Sequence, residues 1–468
     1  LISRRTFLSG LSGTTLGLPA AAPARRQSGQ RDRPPNIVFV LADDLGYGDL
    51  GCYGQRRFST PNIDRLASEG VRFTQAYAGA AVCAPSRCCL MTGLHTGHAR
   101  IRDNHGRHGR VPLRREDLTV AEVLQRAGYR TGLIGKWGLG EAGTTGVPTE
   151  KGFDEFFGFL SQDHALEYYP THLWDNRTEW FPPGNQGAKR KQYVQDLFTE
   201  RALKFVRENA AAPFFLYLAY TIPHASSELG RDTGDGFVVP DYEPYSDKGW
   251  PRPERGFAAM IHRLDRDVGR LAQELDRLGV GRDTLLIFSS DNGPAQDGGH
   301  SPEFFQSSGG LRGKKGDLYE GGIRVPFIAR WPDRIAAGGV ANDIIAFWDF
   351  LPTAAELAGT PVPRNLDGRS FRSVLMGSSA RQGTSVRTDP LYWESPKSRG
   401  VVQASRLGSW KAIRTAGKPG VELYNLAQDR GETQNMAASH PAIVDQMEKI
   451  LRESHHGNED YPSVAPGN

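Results

Sequence analysis

Residues 83–97 read CAPSRCCLMTGLHTG and hold three of the chain's four cysteines. Cys83 precedes Ala-Pro-Ser-Arg, while Cys88 and Cys89 are adjacent. A zinc site wants C-x2-C spacing with further Cys or His at defined distance, which this stretch does not supply. A thiol nucleophile wants a partner His. A disulfide among the three leaves Pro85, Ser86 and Arg87 without a role. Spacing alone therefore leaves the chemistry of Cys83 open. Elsewhere, other reactive types recur after short apolar runs: Asp43 and Asp44, Lys136, His224, and Asp291 with Asn292. Three carboxylates and an amide form an all-oxygen ligand set. Hard divalent cations take such a set, with Ca2+ favoured, Mg2+ the alternative, and Zn2+ a poor match.

Those apolar runs are the elements that must position the chemistry. Residues 36–42 (NIVFVLA), 129–135 (YRTGLIG), 213–219 (PFFLYLA) and 283–289 (DTLLIFS) are short and rich in branched and aromatic residues, as buried parallel strands are. Between them lie helical patterns. Residues 59–70 predict a helix capped by Thr60, with Pro61 in its first turn and Gly70 as its stop. Thr119 and Glu122 predict a capping box, with Gly128 ending that helix. Residues 257–279 predict a long amphipathic helix. Strands alternating with helices imply an α/β fold, a mostly parallel sheet covered on both faces. Such sheets bind ligands at the carboxyl ends of their strands, where all four polar groups fall. After about residue 385 the pattern becomes short strands followed by one helix (442–454), which predicts a small antiparallel C-terminal subdomain. The organisation expected is a leader over 1–24, a linker over 25–35, a catalytic α/β domain over 36–384 and an α+β subdomain over 385–468.

The leader reads as a twin-arginine signal peptide: Arg4 and Arg5, a weakly apolar Gly/Ser-rich stretch, then small residues near Ala22 and Ala24. No later segment has the length of a membrane span. The expected protein is exported through the twin-arginine machinery and works in the periplasm or outside the cell. Its net charge of +4 is too small and too scattered for a nucleic-acid surface.

The stretch CAPSR followed by LMTG resembles the signature of the formylglycine-dependent sulfatases, members of the alkaline phosphatase superfamily, and in particular of bacterial polysaccharide-degrading ones. Further segments are similar to that family in the same order: NIVFVLADDLGYGDLGCYG, GKWGLG, SSDNGP, LRGKKGDLYEGGIRVP, FWDFLPT and ELYNLAQDRGETQNMA. The likeness spans about residues 35–440. It implies an alkaline-phosphatase-like fold and sulfuric ester hydrolysis. It also implies that a separate maturation enzyme oxidises Cys83 to formylglycine, whose hydrate supplies the attacking oxygen. A soft thiol suits a hard cation poorly, whereas an oxygen nucleophile suits it well.

Carried over position by position, the resemblance makes Asp43, Asp44, Asp291, Asn292 and the modified Cys83 the metal ligands. Arg87 steadies the nucleophile, Lys136 and Lys315 clamp the sulfate oxygens, and His224 protonates the leaving alcohol. Lys314 is the rival to Lys315. One departure stands out: many relatives carry His two residues after the lysine, where this chain has Gly138. His164 is the candidate replacement base, with a structural or pocket role as its alternative. Tyr168, Tyr169 and Trp174 are candidates for stacking on a sulfated sugar. Two other activities stay open: phosphonate monoester or phosphodiester hydrolysis, and sulfated-glycan binding with Cys83 unmodified. Cys52, Cys88 and Cys89 are expected to be structural.

Overall fold

The computed structural model describes residues 33–377, 387–398 and 400–461. The leader and most of its linker lie outside them. Ten strands form the main sheet: β1 (Asn36–Asp43), β2 (Val71–Tyr77), β3 (Arg130–Lys136), β4 (Glu155–Phe159), β5 (Leu173–Asp175), β6 (Thr178–Trp180), β7 (Phe214–Pro223), β8 (Thr284–Ser290), β9 (Phe327–Arg330) and β10 (Gly339–Ala346). Their order is β10-β2-β9-β8-β1-β7-β3-β4-β5-β6. The central strands β8, β1, β7, β3 and β4 run parallel, whereas β9, β5 and β6 pair antiparallel with their neighbours.

Every residue of β1 is buried. Its side chains alternate between two cores, as a strand's period of two requires. Ile37, Phe39 and Leu41 pack on one face, with Leu90 and Leu124 from the helices Cys83–Thr92 and Val120–Arg126. Val38, Val40 and Ala42 pack on the other, with Leu66, Phe198 and Leu264 from the helices Pro61–Glu69, Val194–Asn209 and Arg252–Arg277. The capping box at Thr119 and Glu122 is present. The expected side-chain cap at Thr60 is not, because its hydroxyl is engaged by Asp64 and by the Gly51 amide. The long helix begins at Arg252, ahead of the apolar pattern at 257, since Pro251 and Pro253 favour its start.

A second sheet holds β11 (Leu391–Lys397), β12 (Gly400–Leu407), β13 (Trp410–Arg414) and β14 (Glu422–Asn425), all antiparallel. The helix Pro441–Glu453 covers it through Met447, against Ala412 and Leu423. Buried polar contacts tie this sheet to the main body. Lys411 ion-pairs with Glu320 and Glu432, Arg102 with Glu394, and the Trp393 indole donates to the Ala78 carbonyl. The described residues from Pro34 onward form one compact unit. Among the described residues, no helix is long and apolar enough to cross a membrane.

Candidate active site

Four parallel strands deliver the polar groups. β1 ends at Asp43, followed by Asp44; β3 ends at Lys136; β7 leads to His224; β8 leads to Asp291 and Asn292. Asp44 adopts a left-handed φ of 69°, which Asp tolerates better than bulkier residues. Its amide donates to Asp291 Oδ1 at 3.1 Å, and its Oδ1 accepts from Asn292 Nδ2 at 2.8 Å, which together hold that turn.

Cys83 opens the helix Cys83–Thr92 and is 2% exposed. Pro85 lies in the first turn, where its fixed φ costs nothing, so the Cys83 side chain sits at the positive end of the helix dipole. Cys83 Sγ is 3.4 Å from Asp43 Oδ1. One turn on, Arg87 is fully buried and donates twice to Asp291 Oδ2, at 2.8 and 3.1 Å, and once to the Lys136 carbonyl at 2.9 Å. Lys136 Nζ reaches Asp43 Oδ2 at 2.6 Å. Lys315 Nζ lies 2.8 Å from Asp44 Oδ2 and 3.0 Å from His224 Nε2. The Lys315 loop is held by its own amide on the Pro294 carbonyl and by the Gly316 amide on Ala81.

These groups polarise one another. Burial alone would raise Asp43, but Lys136, His224, Arg87 and Lys315 together hold its carboxyl well below the usual range. Burial and the charge of Asp43 push Asp291 upward, against the pull of Arg87. Burial and Asp43 push the Cys83 thiol far up, so as a plain thiol it stays protonated and is a poor nucleophile. His224 is lowered by burial. Its Nδ1 lies 2.5 Å from the Ala225 carbonyl and must donate to it, which leaves Nε2 as the atom that gains or loses a proton.

The oxygens of Asp43, Asp44, Asp291 and Asn292 fit a hard cation. Ligand atoms of Asp43, Asp44, Cys83 and His224 lie within 4.8 Å of one another. Asn292 Oδ1 is buried and has no partner among the protein's own groups, an acceptor left for a cation. A second cluster, His95, His98 and Asp367, is equally tight. It is ill-suited to a metal: His95 Nδ1 accepts the Gly97 amide at 3.1 Å, so the neutral ring carries its proton on Nε2, the atom facing Asp367.

A cavity of about 440 Å³ opens on Cys83, Lys136, His224 and Lys315. Sequence reasoning missed several of its lining residues: Asn104, Gln162, Asp163, Ser227, Gln296 and Asp297. None stands in a motif, and Asn104 is recognisable only from its Oδ1, which accepts the Ala84 amide at 2.9 Å beside Cys83. Lys314 also lines the cavity but binds Gln296 rather than the carboxylates.

The aromatic candidates lie elsewhere. Tyr168 is 2% exposed, packs in the core and donates to the Thr221 and His224 carbonyls. Tyr169 and Trp174 line two other cavities. None of the three lines the Cys83 cavity, and Trp174 is held in β5 opposite Gly158 of β4. His164 is not placed as a base either. A 3-10 turn sets its ring against Phe159 and His172, with centroids 4.8 and 4.3 Å away, while its neighbours Gln162 and Asp163 line the cavity. All four cysteines are free; Cys88 and Cys89 are fully buried in their helix, and Cys52 is half-buried.

A mixed, mostly parallel sheet with a charged cluster at its strand ends and a small antiparallel sheet alongside defines an alkaline-phosphatase-like hydrolase. The sulfatase family model matches residues 35–360, and the model for the C-terminal part of N-sulphoglucosamine sulphohydrolase matches residues 313–457. Human arylsulfatase A is 34% identical, over 89% of this chain and 87% of its own. The N-acetylgalactosamine-6-O-sulfatase of Bacteroides thetaiotaomicron is 28% identical, over 94% of this chain and 97% of its own. The solved complex of Ps i-CgsB with k-i-k-neocarrahexaose superposes with a TM-score of 0.77 at 29% identity, covering 90% of this chain and 93% of that one. The chain belongs to the sulfatase family and is a sulfuric ester hydrolase.

Proposed function

We propose that this sulfatase hydrolyses a sulfate ester on a sulfated carbohydrate and releases inorganic sulfate. Cys83 is the residue converted to formylglycine by a maturation enzyme, and a divalent cation, Ca2+ before Mg2+, is held by Asp43, Asp44, Asp291, Asn292 and the modified Cys83. The observation that carries the reading is the convergence of Cys83, Lys136, Lys315 and His224 on one cavity backed by buried carboxylates. Three carboxylates there face three cations, Arg87, Lys136 and Lys315. An added divalent cation therefore calls for an anionic guest.

When bound, the cation supplies Lewis acidity, and the oxidised Cys83 supplies the attacking oxygen. The chain's own residues do the rest. Arg87 fixes Asp291 and, through the Lys136 carbonyl, the end of β3. Lys136 and Lys315 present ammonium groups where charge collects on the sulfuryl oxygens. His224 Nε2 delivers a proton to the leaving alcohol, and Lys315, 3.0 Å away, is its nearest proton-bearing neighbour.

The cavity wall supports a sugar. Apart from the reacting groups it is mostly amide, carboxylate and hydroxyl, with Leu166 and Ala295 as its apolar members. Such a wall satisfies sugar hydroxyls and suits a bare aromatic or steroid ring poorly. The relative named N-acetylgalactosamine-6-O-sulfatase and the structure bound to k-i-k-neocarrahexaose support the same class. Export through a twin-arginine leader to the periplasm or beyond fits a polymer substrate, and this leader lies outside the described residues. Mass spectrometry of the Cys83 peptide from the native host tests the reading. Formylglycine is expected there; an unmodified thiol throughout active protein would overturn it.

A further inference from the structure

Gly138 leaves open what stands where many relatives place a histidine. The answer comes from the neighbouring strand. β3 and β4 pair in parallel with Lys136 opposite Phe159, and the pairing continues past both ends: the Trp137 amide donates to the Phe159 carbonyl at 2.9 Å, and Gly138 to Leu160 at 3.0 Å. The two exit loops therefore run side by side, and Gln162 lies over Gly138. A Cβ at position 138 would stand 1.9 Å from Gln162 Nε2 and 2.7 Å from its Cδ. Gly138 also has a φ of +79°, which disfavours any side chain. Glycine at 138 and glutamine at 162 are thus a matched pair: the amide fills the volume that a side chain at 138 would take.

That amide is unusual. Gln162 is 8% exposed, yet neither Oε1 nor Nε2 has a partner among the protein's own groups, and the residue lines the Cys83 cavity. A buried amide without partners is costly unless a guest completes it. It rests on Gly138, two residues past Lys136, so it reaches the cavity from the wall that carries Lys136. We propose that Gln162 Nε2 donates a hydrogen bond to a sulfuryl oxygen of the bound sulfate, making Gln162 a binding residue of this site. The inference rests on the sulfatase reading. An amide neither gains nor loses a proton near neutral pH, so Gln162 binds the anion and shuttles no proton.

Calorimetric titration of the metal-loaded protein with inorganic sulfate tests it, since that probe carries no sugar hydroxyl. Gln162→Met keeps the volume and removes both polar atoms. It should weaken sulfate about tenfold or more, the usual worth of a hydrogen bond to a charged group. Gln162→Asn, a milder change that retracts the amide, should show the same direction. Gly138→Ala should weaken sulfate by displacing the amide, and should add almost nothing in the Gln162→Met background, as a coupled pair requires. KM for a sulfate ester should rise by the same factor as the sulfate Kd, with kcat little changed. Wild-type sulfate affinity and KM in Gln162→Met, with turnover intact, would overturn the inference while leaving the sulfatase reading standing. Additive effects of Gly138→Ala and Gln162→Met would overturn the pairing. Wild-type protein that neither binds sulfate nor cleaves any sulfate ester would overturn both readings together.

Discussion

Replacing His224 separates proton donation from sulfate binding. The substitution His224→Ala removes the ring but not its anchor, because Tyr168 holds the backbone carbonyl of His224 rather than its side chain. Lys315 keeps its 2.8 Å contact with Asp44, so the charge around the cavity survives. What is lost is Nε2, whose place is set by the Nδ1 bond to Ala225. A sugar alkoxide is a poor leaving group and needs a proton as the S–O bond breaks. General acid catalysis is worth about 10²–10⁴-fold, or about 3–5 kcal/mol of barrier. A nitrophenolate leaves without that help. His224→Ala should therefore lower kcat/KM for a sugar sulfate by about 10²–10⁴-fold, and for nitrophenyl sulfate by less than about tenfold. Paired steady-state kinetics on wild type and variant measure the difference. Equal losses on both substrates would refute the general-acid role, since the sulfuryl group is what they share, and would move suspicion to Lys315.

Chelation should abolish turnover, with Ca2+ or Mg2+ restoring it better than Zn2+, because Asp43, Asp44, Asp291 and Asn292 offer hard oxygens; metal analysis showing an active, metal-free enzyme would count against this. Loss of an ion held at 1,000 times its Kd should also cost about 4 kcal/mol of stability, read as a fall in melting temperature. Lys411→Met should destabilise by about 3–5 kcal/mol in chemical denaturation, since it leaves Glu432, fully buried and 2.8 Å from the lost ammonium, without an ion-pair partner, while Glu320 keeps Arg324; a loss under about 1 kcal/mol would mean that the Lys411–Glu432 pair is dispensable. Burial lowers His95 from 6.5 to about 4, with Asp367 pulling the other way. Its folded pKa lies below its unfolded one, so its contribution is whole above pH 6.5 and is lost as pH falls toward 4. Unfolding free energies should drop by about 3 kcal/mol across that window through this one group, and His95→Gln should flatten the slope; matching slopes would show that His95 titrates normally.

The chemistry at the strand ends was legible because buried parallel strands leave a plain trace. β1, β7 and β8 are each built on an apolar run, and β3 on a shorter one around Leu133 and Ile134, and these runs give way to polar residues at Asp43, Lys136, the approach to His224, and Asp291. No comparable trace marks β5, β6, β9 or β14, which have three or four residues each. Runs so short show no period, and their strand character comes from the neighbours they pair with. Composition could not place Tyr168 and Trp174, since an aromatic side chain serves a core and a sugar platform equally well, and only the fold puts Tyr168 in the core and Trp174 at a cavity other than that of Cys83.

The replacement for the missing histidine failed to show in the sequence for a related reason. The vacancy at Gly138 is local and can be read directly, but what fills it depends on register. Lys136 opposite Phe159 sets the two exit loops abreast, and from that pairing Gln162, not His164, reaches the cavity. Two residues along the chain exchange a ring packed against Phe159 for an amide over Gly138. Chemistry assigned from residue type alone favours the histidine, because imidazole can take a proton. Geometry favours the amide, which cannot. If the amide is the group present, the proton transfers of turnover must fall to residues already gathered around Cys83. Of these, His224 and Lys315, 3.0 Å apart beside Asp44, are the pair placed to share one proton.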